Sequence, residues 1–310
     1  MGGQGAKVRE GLLNGIRLLL DARVHFATLE DEYLADLPAA TRAVFYPLPY
    51  CPSDAVVARL EAFVRGGGTL YLSGDISYDP LRQRTATARL QTLCGVEYVA
   101  ERYPNIAFEH SPAAIQPAPG TAWPAYEGAP GIRVRATGAT VLATTAAGDP
   151  VWVEHRLGAG RVLFSTDPIE LHASALASPA GHAVYAALLG RMGISGEAAA
   201  PADAGLHVMR VPTRNGETVR VLVWVLLPMG EGTVRIPDAA RWHDPMVWVG
   251  EVVDGRWRRG EAFQPLHRDG ELHIPVDADR NLSMLLCAER ADESIMARTV
   301  EQWVREPWRS

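Results

Sequence analysis

The sequence is poor in the residues that announce a chemistry. Its three cysteines, Cys51, Cys94 and Cys287, lie far apart in 310 residues. That excludes a disulfide framework and fits a reducing compartment. The nine histidines show no His-x-x-x-His spacing and the cysteines no Cys-x-x-Cys, so neither a metal nor another cofactor is expected. Basic residues are not in excess. Thirty Lys and Arg, scattered, stand against 36 Asp and Glu for a net charge of −6, which points away from a nucleic-acid partner. No apolar run approaches the ~20 residues of a membrane span. The opening "MGGQGAKVREGLLNGIRLLL" is interrupted at Asp21 and Arg23 and offers no cleavage site, so neither a leader nor a membrane partner is expected. Gly66 to Gly68 is followed by no Gly-Lys-Ser/Thr, which excludes a phosphate loop. A cytoplasmic protein is the expectation.

What is present is ordinary globular material, 47% hydrophobic and 21% charged, with length for two domains. Val8 to Ala22 reads as a helix with Leu12, Ile16, Leu19 and Leu20 at core spacing. "RVHFATLED" reads as a short strand and "TRAVFYPLPY" as a second, buried one. Ser53 or Asp54 starts a helix over "AVVARLEAFVR", Gly66 to Gly68 ends it, and "TLYLS" is the third strand. Strand, helix, strand with short joints implies parallel pairing. "PLRQRTATARLQTLCGV" gives a further helix, "PVWVEHRLGAGRVLFSTD" a hairpin and "GHAVYAALLGRMGI" a closing helix. Past a linker at 198–204 the pattern alternates, indicating a small antiparallel β-sandwich over 205–290. Residues 291–310 return to helical spacing through Met296, Val300, Trp303 and Val304. An apolar stripe of that kind must dock, on its own sandwich or on a partner.

The run "VFYPLPYCPSDAVVARLEAFVRGGGTLYLSGD", the later "LGAGRVLFSTDPIE" and the closing helix resemble the class I glutamine amidotransferase-like module. More narrowly, they resemble the trimerisation domain of glycoside hydrolase family 42 β-galactosidases and related bacterial glycosidases. The likeness covers 1–197, and the all-β segment is similar to the small sandwich that follows in those enzymes. It implies a flavodoxin-like or amidotransferase-like parallel sheet with helices on both faces. It also implies an assembly role, since the catalytic TIM barrel of the family needs ~250 residues for which this chain has no room. The partners implied are further copies of the chain in a trimer, a TIM-barrel glycosidase chain, or both.

Amidotransferases carry a cysteine at a nucleophile elbow and a His-Pro-Glu sequence after a late strand. Here the elbow region offers Ser73-Gly74-Asp75, and Asp167 stands where the histidine would be, in Asp167-Pro168-Ile169-Glu170. A carboxylate does not replace a neutral imidazole near neutral pH. Ser73, Asp75, Asp167, Glu170 and His172 are therefore candidates for a vestigial site, with Asp79 beside them at the strand ends. Ser73 with His172 and Asp167 is the serine-triad alternative, and it lacks an evident oxyanion loop. Cys51, before a helix start, is expected to be a small buried side chain. The expected function is a non-catalytic assembly subunit, or C-terminal part, of a glycoside hydrolase. The alternatives are an autonomous hydrolase around Ser73 and a carbohydrate-binding module using Trp242 and Trp257 as surface indoles.

Overall fold

The computed structural model describes residues 3–24, 26, 28–39, 41–49, 51–101, 112–171, 179–194, 196, 206–210, 221–225, 232–237, 239–254, 256–276, 284–295, 297–298 and 301. The chain divides into two units, 1–18 with 27–194, and 19–26 with 195–310. The expected linker at 198–204, together with Met296, Val300, Trp303 and Val304, lies outside the described residues.

In the first unit, β1 (Ala43–Pro47), α2 (Asp54–Arg65) and β2 (Thr69–Ser73) form the expected strand–helix–strand unit, following α1 (Gly3–Asp21). Ser53 caps α2 by accepting a hydrogen bond from the Val56 N–H, and Val56, Leu60 and Val64 form its buried stripe. The chain continues through α3 (Ala88–Cys94), β3 (Val96–Glu101), β4 (Ala113–Pro117), β5 (Tyr126–Gly128) and β6 (Ile132–Ala136). Then come β7 (Thr140–Thr145), β8 (Pro150–Leu157), β9 (Gly160–Ser165) and a last helix, α4 (Pro179–Met192). Seven strands make one sheet in the order β1-β2-β9-β8-β7-β4-β5, and β3 pairs with β6 in a separate ribbon.

That sheet is mixed, not the parallel sheet expected. Only β1, β2 and β9 run parallel, and the other four strands pair antiparallel. The cause is local. β8 and β9 are joined by Gly158-Ala159, and a two-residue joint permits only an antiparallel return. The stretch expected as a first strand, around 23–31, carries none among its described residues. The first helix meets its expected core spacing only in part, with Leu19 buried, Ile16 and Leu20 half-buried and Leu12 exposed. Gly11, Gly15 and Leu18 point inward, whereas Leu12 and Leu13 are 40% and 56% exposed.

The two glycine-rich motifs meet. Gly66 ends α2 in ordinary helical geometry, and Gly67 takes the left-handed step at φ 110°. The β8–β9 turn then lies directly on this joint. Ala159 N–H donates to the Arg65 carbonyl and Arg161 N–H to that of Gly68. A Cβ on Gly160 would lie 2.2 Å from the backbone oxygens of Val64 and Gly68, and one on Gly158 2.7 Å from the Arg65 Cα. Phe45, Tyr71, Trp152 and Trp123 contact one another in series, Phe45 edge-on to Tyr71, Tyr71 stacked on Trp152, and Trp123 tilted against Trp152 with centroids 4.7 Å apart.

The second unit holds two antiparallel sheets. The larger contains β10 (Leu206–Arg210), β11 (Val221–Val225), β13 (Pro245–Val253), β14 (Arg256–Phe263) and β17 (Met284–Glu289). The smaller contains β12 (Gly232–Ile236), β15 (Leu266–Arg268) and β16 (Glu271–Val276). One core joins them, with Val234, Ile236, Leu272 and Ile274 from the smaller sheet against Val247, Val249, Leu285 and Cys287 from the larger. The start of the C-terminal helical stretch lies against this unit. Glu293 pairs with Arg259, and Glu301 accepts the Trp257 N–H.

Because the Gly160 contact is with backbone, no neighbouring side chain can yield to relieve it. Gly160→Ala is expected to destabilise the first unit by about 3 kcal/mol, read as a lowered denaturant midpoint. Gly148→Ala, at a turn with open space around it, is the comparison and pays only its backbone strain.

Candidate functional site

The parallel register sets the site. Ser73, the last residue of β2, lies opposite Pro47 of β1 and Ser165 of β9. Gly74 then turns the chain at φ 84° and donates its N–H to the Ser165 carbonyl. Past β9, Thr166 to Glu170 bring a second polar segment to the same end of the sheet.

Ser73 and Glu170 meet there. The Ser73 hydroxyl donates to Glu170 Oε2 at 2.9 Å and accepts the Leu48 N–H at 3.2 Å. Glu170 Oε1 accepts two further hydroxyls at 2.7 Å, those of Tyr71 and Tyr185. All four side chains are buried. Burial pushes the Glu170 carboxyl above the usual carboxylate range, and the hydrogen bonds from Tyr185, Tyr71 and Ser73 only partly oppose it. The same burial, with the charge of Glu170, holds both phenols well above their usual range.

Asp167 is turned the other way. Its Oδ2 accepts the Tyr126 hydroxyl at 2.8 Å and its Oδ1 the Ala129 N–H at 3.1 Å, while Trp152 Nε1 donates to that same tyrosine oxygen. Gly128 leaves room for this contact, since a Cβ there would sit 2.2 Å from Asp167 Oδ2. Asp75 belongs to a third group. It accepts the Ser77 N–H and hydroxyl and pairs with Arg84, which lies between the rings of Tyr78 and Tyr98 and also pairs with Glu101. Asp79 caps its own turn through Leu81 N–H, Gln83 N–H and the Thr85 hydroxyl. The expected set is thus split three ways, and His172 lies outside the described residues. Cys51 is half-buried in the β1–α2 connection, at φ 57°.

The N-terminal helix closes this end of the sheet. A Cβ on Gly11 would fall 2.2 Å from Leu48, and one on Gly15 would touch Pro47, Glu170 and Tyr185. Asn14 Nδ2 donates to the Glu170 carbonyl at 2.9 Å. In this closed form Ser73 is out of reach of any substrate. The Gly74 N–H, which an oxyanion hole would need, is already engaged. The arrangement holds loops together and does not present a nucleophile.

Tyr71, Tyr185, Tyr126 and Asn14 escaped sequence reasoning, although Tyr71 precedes Ser73 by two residues and so shares its face of β2. Arg89 was missed as well. Its buried guanidinium donates to the carbonyls of Pro52, Ile76 and Tyr78 and pairs with Asp54 at 2.6 Å, tying the β1–α2 and β2–α3 loops together. In the second unit Trp242 is only 5% exposed and belongs to the core, so it offers no surface ring face. Trp257 is half-buried, with its indole on Gly250. Among the described residues no group of three His, Cys, Asp or Glu gathers as for a metal, and no helix is long and apolar enough to cross a membrane.

No family model and no curated protein matches the sequence. Solved structures do. A β-galactosidase from Bacillus circulans sp. alkalophilus covers 90% of this chain at 16% identity and TM-score 0.59, with 37% of its own length matched. A GH42 β-galactosidase from G. stearothermophilus covers 90% at 14% identity and TM-score 0.59, with 36% matched. The α-L-fucosidase isoenzyme 2 of Paenibacillus thiaminolyticus covers 90% at 14% identity and TM-score 0.61, with 45% matched. This chain shares its fold with parts of these structures. The chain spans less than half the length of these structures.

Arg89→Met keeps most of the side-chain volume but strands three carbonyls. It is expected to cost about 3 kcal/mol, with loops 48–53 and 74–80 losing amide protection before β2 and β9 do in hydrogen exchange.

Proposed function

We propose that this chain is a non-catalytic assembly module of a glycoside hydrolase, and that the strand-end site is a vestige of an amidotransferase-like one. One observation carries the reading. The polar side chains at the functional edge of the fold bond to one another beneath a helix, so what remains for use is outer surface. The match to β-galactosidases and a fucosidase over nine-tenths of this chain, but well under half of theirs, supports a partner that supplies the chemistry. That partner is a TIM-barrel glycosidase, covalently continuous or separate, and the resemblance to a trimerisation domain favours three-fold self-association.

The rival, an autonomous hydrolase at Ser73, has against it the burial of Ser73 and the engaged Gly74 N–H. The carbohydrate-binding alternative keeps Trp257 as its candidate, half-buried on an edge strand beside exposed Arg256 and Arg258.

Light scattering of the purified chain at micromolar concentration is expected to give a trimer, or a complex once a barrel glycosidase encoded beside it is added. The chain alone should hydrolyse neither nitrophenyl glycosides nor nitrophenyl esters and should release no ammonia from glutamine. A strict monomer with and without the barrel chain removes the assembly reading. Ester turnover abolished by Ser73→Ala establishes the autonomous hydrolase instead. A change in tryptophan fluorescence on adding oligosaccharide, lost in Trp257→Ala, establishes the binding module.

A further inference from the structure

Glu170 and α1 form a unit with a mechanical consequence of its own, independent of the assembly reading. The helix is weakly built and weakly held. Gly11 and Gly15 in its interior each cost about 1 kcal/mol relative to alanine. Its leucines at 12 and 13 face solvent, and its described contacts with the sheet end are made by the backbone at Gly11 and Gly15 and by the Asn14 hydrogen bond. What it covers is a carboxyl group removed from water.

Among the described residues, the groups facing that carboxyl come from each element packed on it. From β2 come Tyr71 and Ser73, and from α4 comes Tyr185. On its own segment Asp167 is turned to Tyr126. From α1 the polar neighbour is Asn14, whereas Arg9, Glu10 and Arg17 are exposed on the helix's outer side. His182, one turn before Tyr185, and Arg191, paired with Glu154, are the remaining titratable groups of α4. Every described side-chain partner of the Glu170 carboxyl is a neutral hydroxyl, and the backbone N–H of Glu170 itself is its further donor. A carboxylate has about four acceptor positions, and these donors, all neutral, occupy them. Among the described residues the site has no counter-charge, and the buried carboxyl has no solvation, which water can supply only if the cover moves.

We propose that α1 is a lid seated by the protonated form of Glu170, and that ionisation of this carboxyl lifts residues 3–18 from the sheet end while β1, β2 and β9 stay folded. The direction follows from linkage. Burial raises the folded-state value of Glu170. Its contribution to seating is therefore complete below the usual glutamate value, ~4.3, and is lost as pH rises through the raised one. Lifting α1 hydrates the carboxylate and opens Leu48, Pro47 and Leu171 to solvent, so an acidic medium keeps the end of the sheet closed and a more alkaline one opens it.

Hydrogen exchange on the full chain tests this when rates are expressed as protection factors, which remove the intrinsic pH dependence of exchange. Between about pH 5 and about pH 8, protection over residues 8–18 is expected to fall at least about tenfold, with β2 and β9 unchanged. Glu170→Gln, neutral at every pH, should hold α1 at its acid-side protection throughout. Tyr185→Phe removes one donor to the carboxylate and should move the midpoint to higher pH. Flat α1 protection in the wild type overturns the proposal, as does a fall shared by β2 and β9, or an unchanged fall in Glu170→Gln. Should Glu170→Gln fail to fold, the direction of the Tyr185→Phe shift decides, and a shift to lower pH overturns it.

Discussion

The close contact between the β8–β9 turn and the end of α2 governs the first unit. Backbone touches backbone there, at Gly158 and Gly160 on one side and Val64, Arg65 and Gly68 on the other. That contact fixes where β9 begins relative to β2, and the pairing then runs in register from Thr69 opposite Arg161 to Ser73 opposite Ser165. A slip of one residue would turn Tyr71 and Ser73 to the other face of the sheet and leave the Glu170 carboxyl buried without its hydroxyl partners. The polar site is thus a consequence, five residues downstream, of two glycine-rich turns that carry no chemistry.

Much of this was legible beforehand, and the reasons differ by element. The β1–α2–β2 unit could be read because cap, apolar stripe and terminating glycines agree. The hairpin could be read because its turn is short. The sheet as a whole was misread as parallel because the resemblance was extended from one βαβ unit to strands whose short joints forbid it. Helix α1 was read in part, in a more instructive way. Leu12, Ile16, Leu19 and Leu20 have core spacing and Leu19 is buried, yet glycine packs closer than leucine can, and Gly11 and Gly15 meet the sheet end while Leu12 is exposed. Periodicity reports which face is apolar, not which face must approach.

At the candidate site, spacing found Ser73, Asp167 and Glu170 but not their partners. Those partners are aromatic hydroxyls, and Tyr71 and Tyr185 sit in apolar runs where a tyrosine reads as core. They are core, and they are also hydrogen-bond donors. Two carboxylates three chain positions apart with separate hydroxyl partners, Glu170 with two tyrosines and a serine and Asp167 with Tyr126, make the strand ends into a structural network. Such a network specifies one arrangement when every member is satisfied. It also shows how polar residues at the strand ends can serve to hold loops together.

The tilted Trp123–Trp152 pair has an optical consequence. Two indoles 4.7 Å apart and inclined at 38° are close enough for their electronic transitions to mix. The first unit therefore carries its own chiroptical signature, an exciton couplet in circular dichroism that exists only while β8 and the loop bearing Trp123 are packed together. Trp242 of the second unit belongs to a separate core. That couplet reports on the integrity of the first unit alone, in a chain of two units whose unfolding transitions would otherwise overlap.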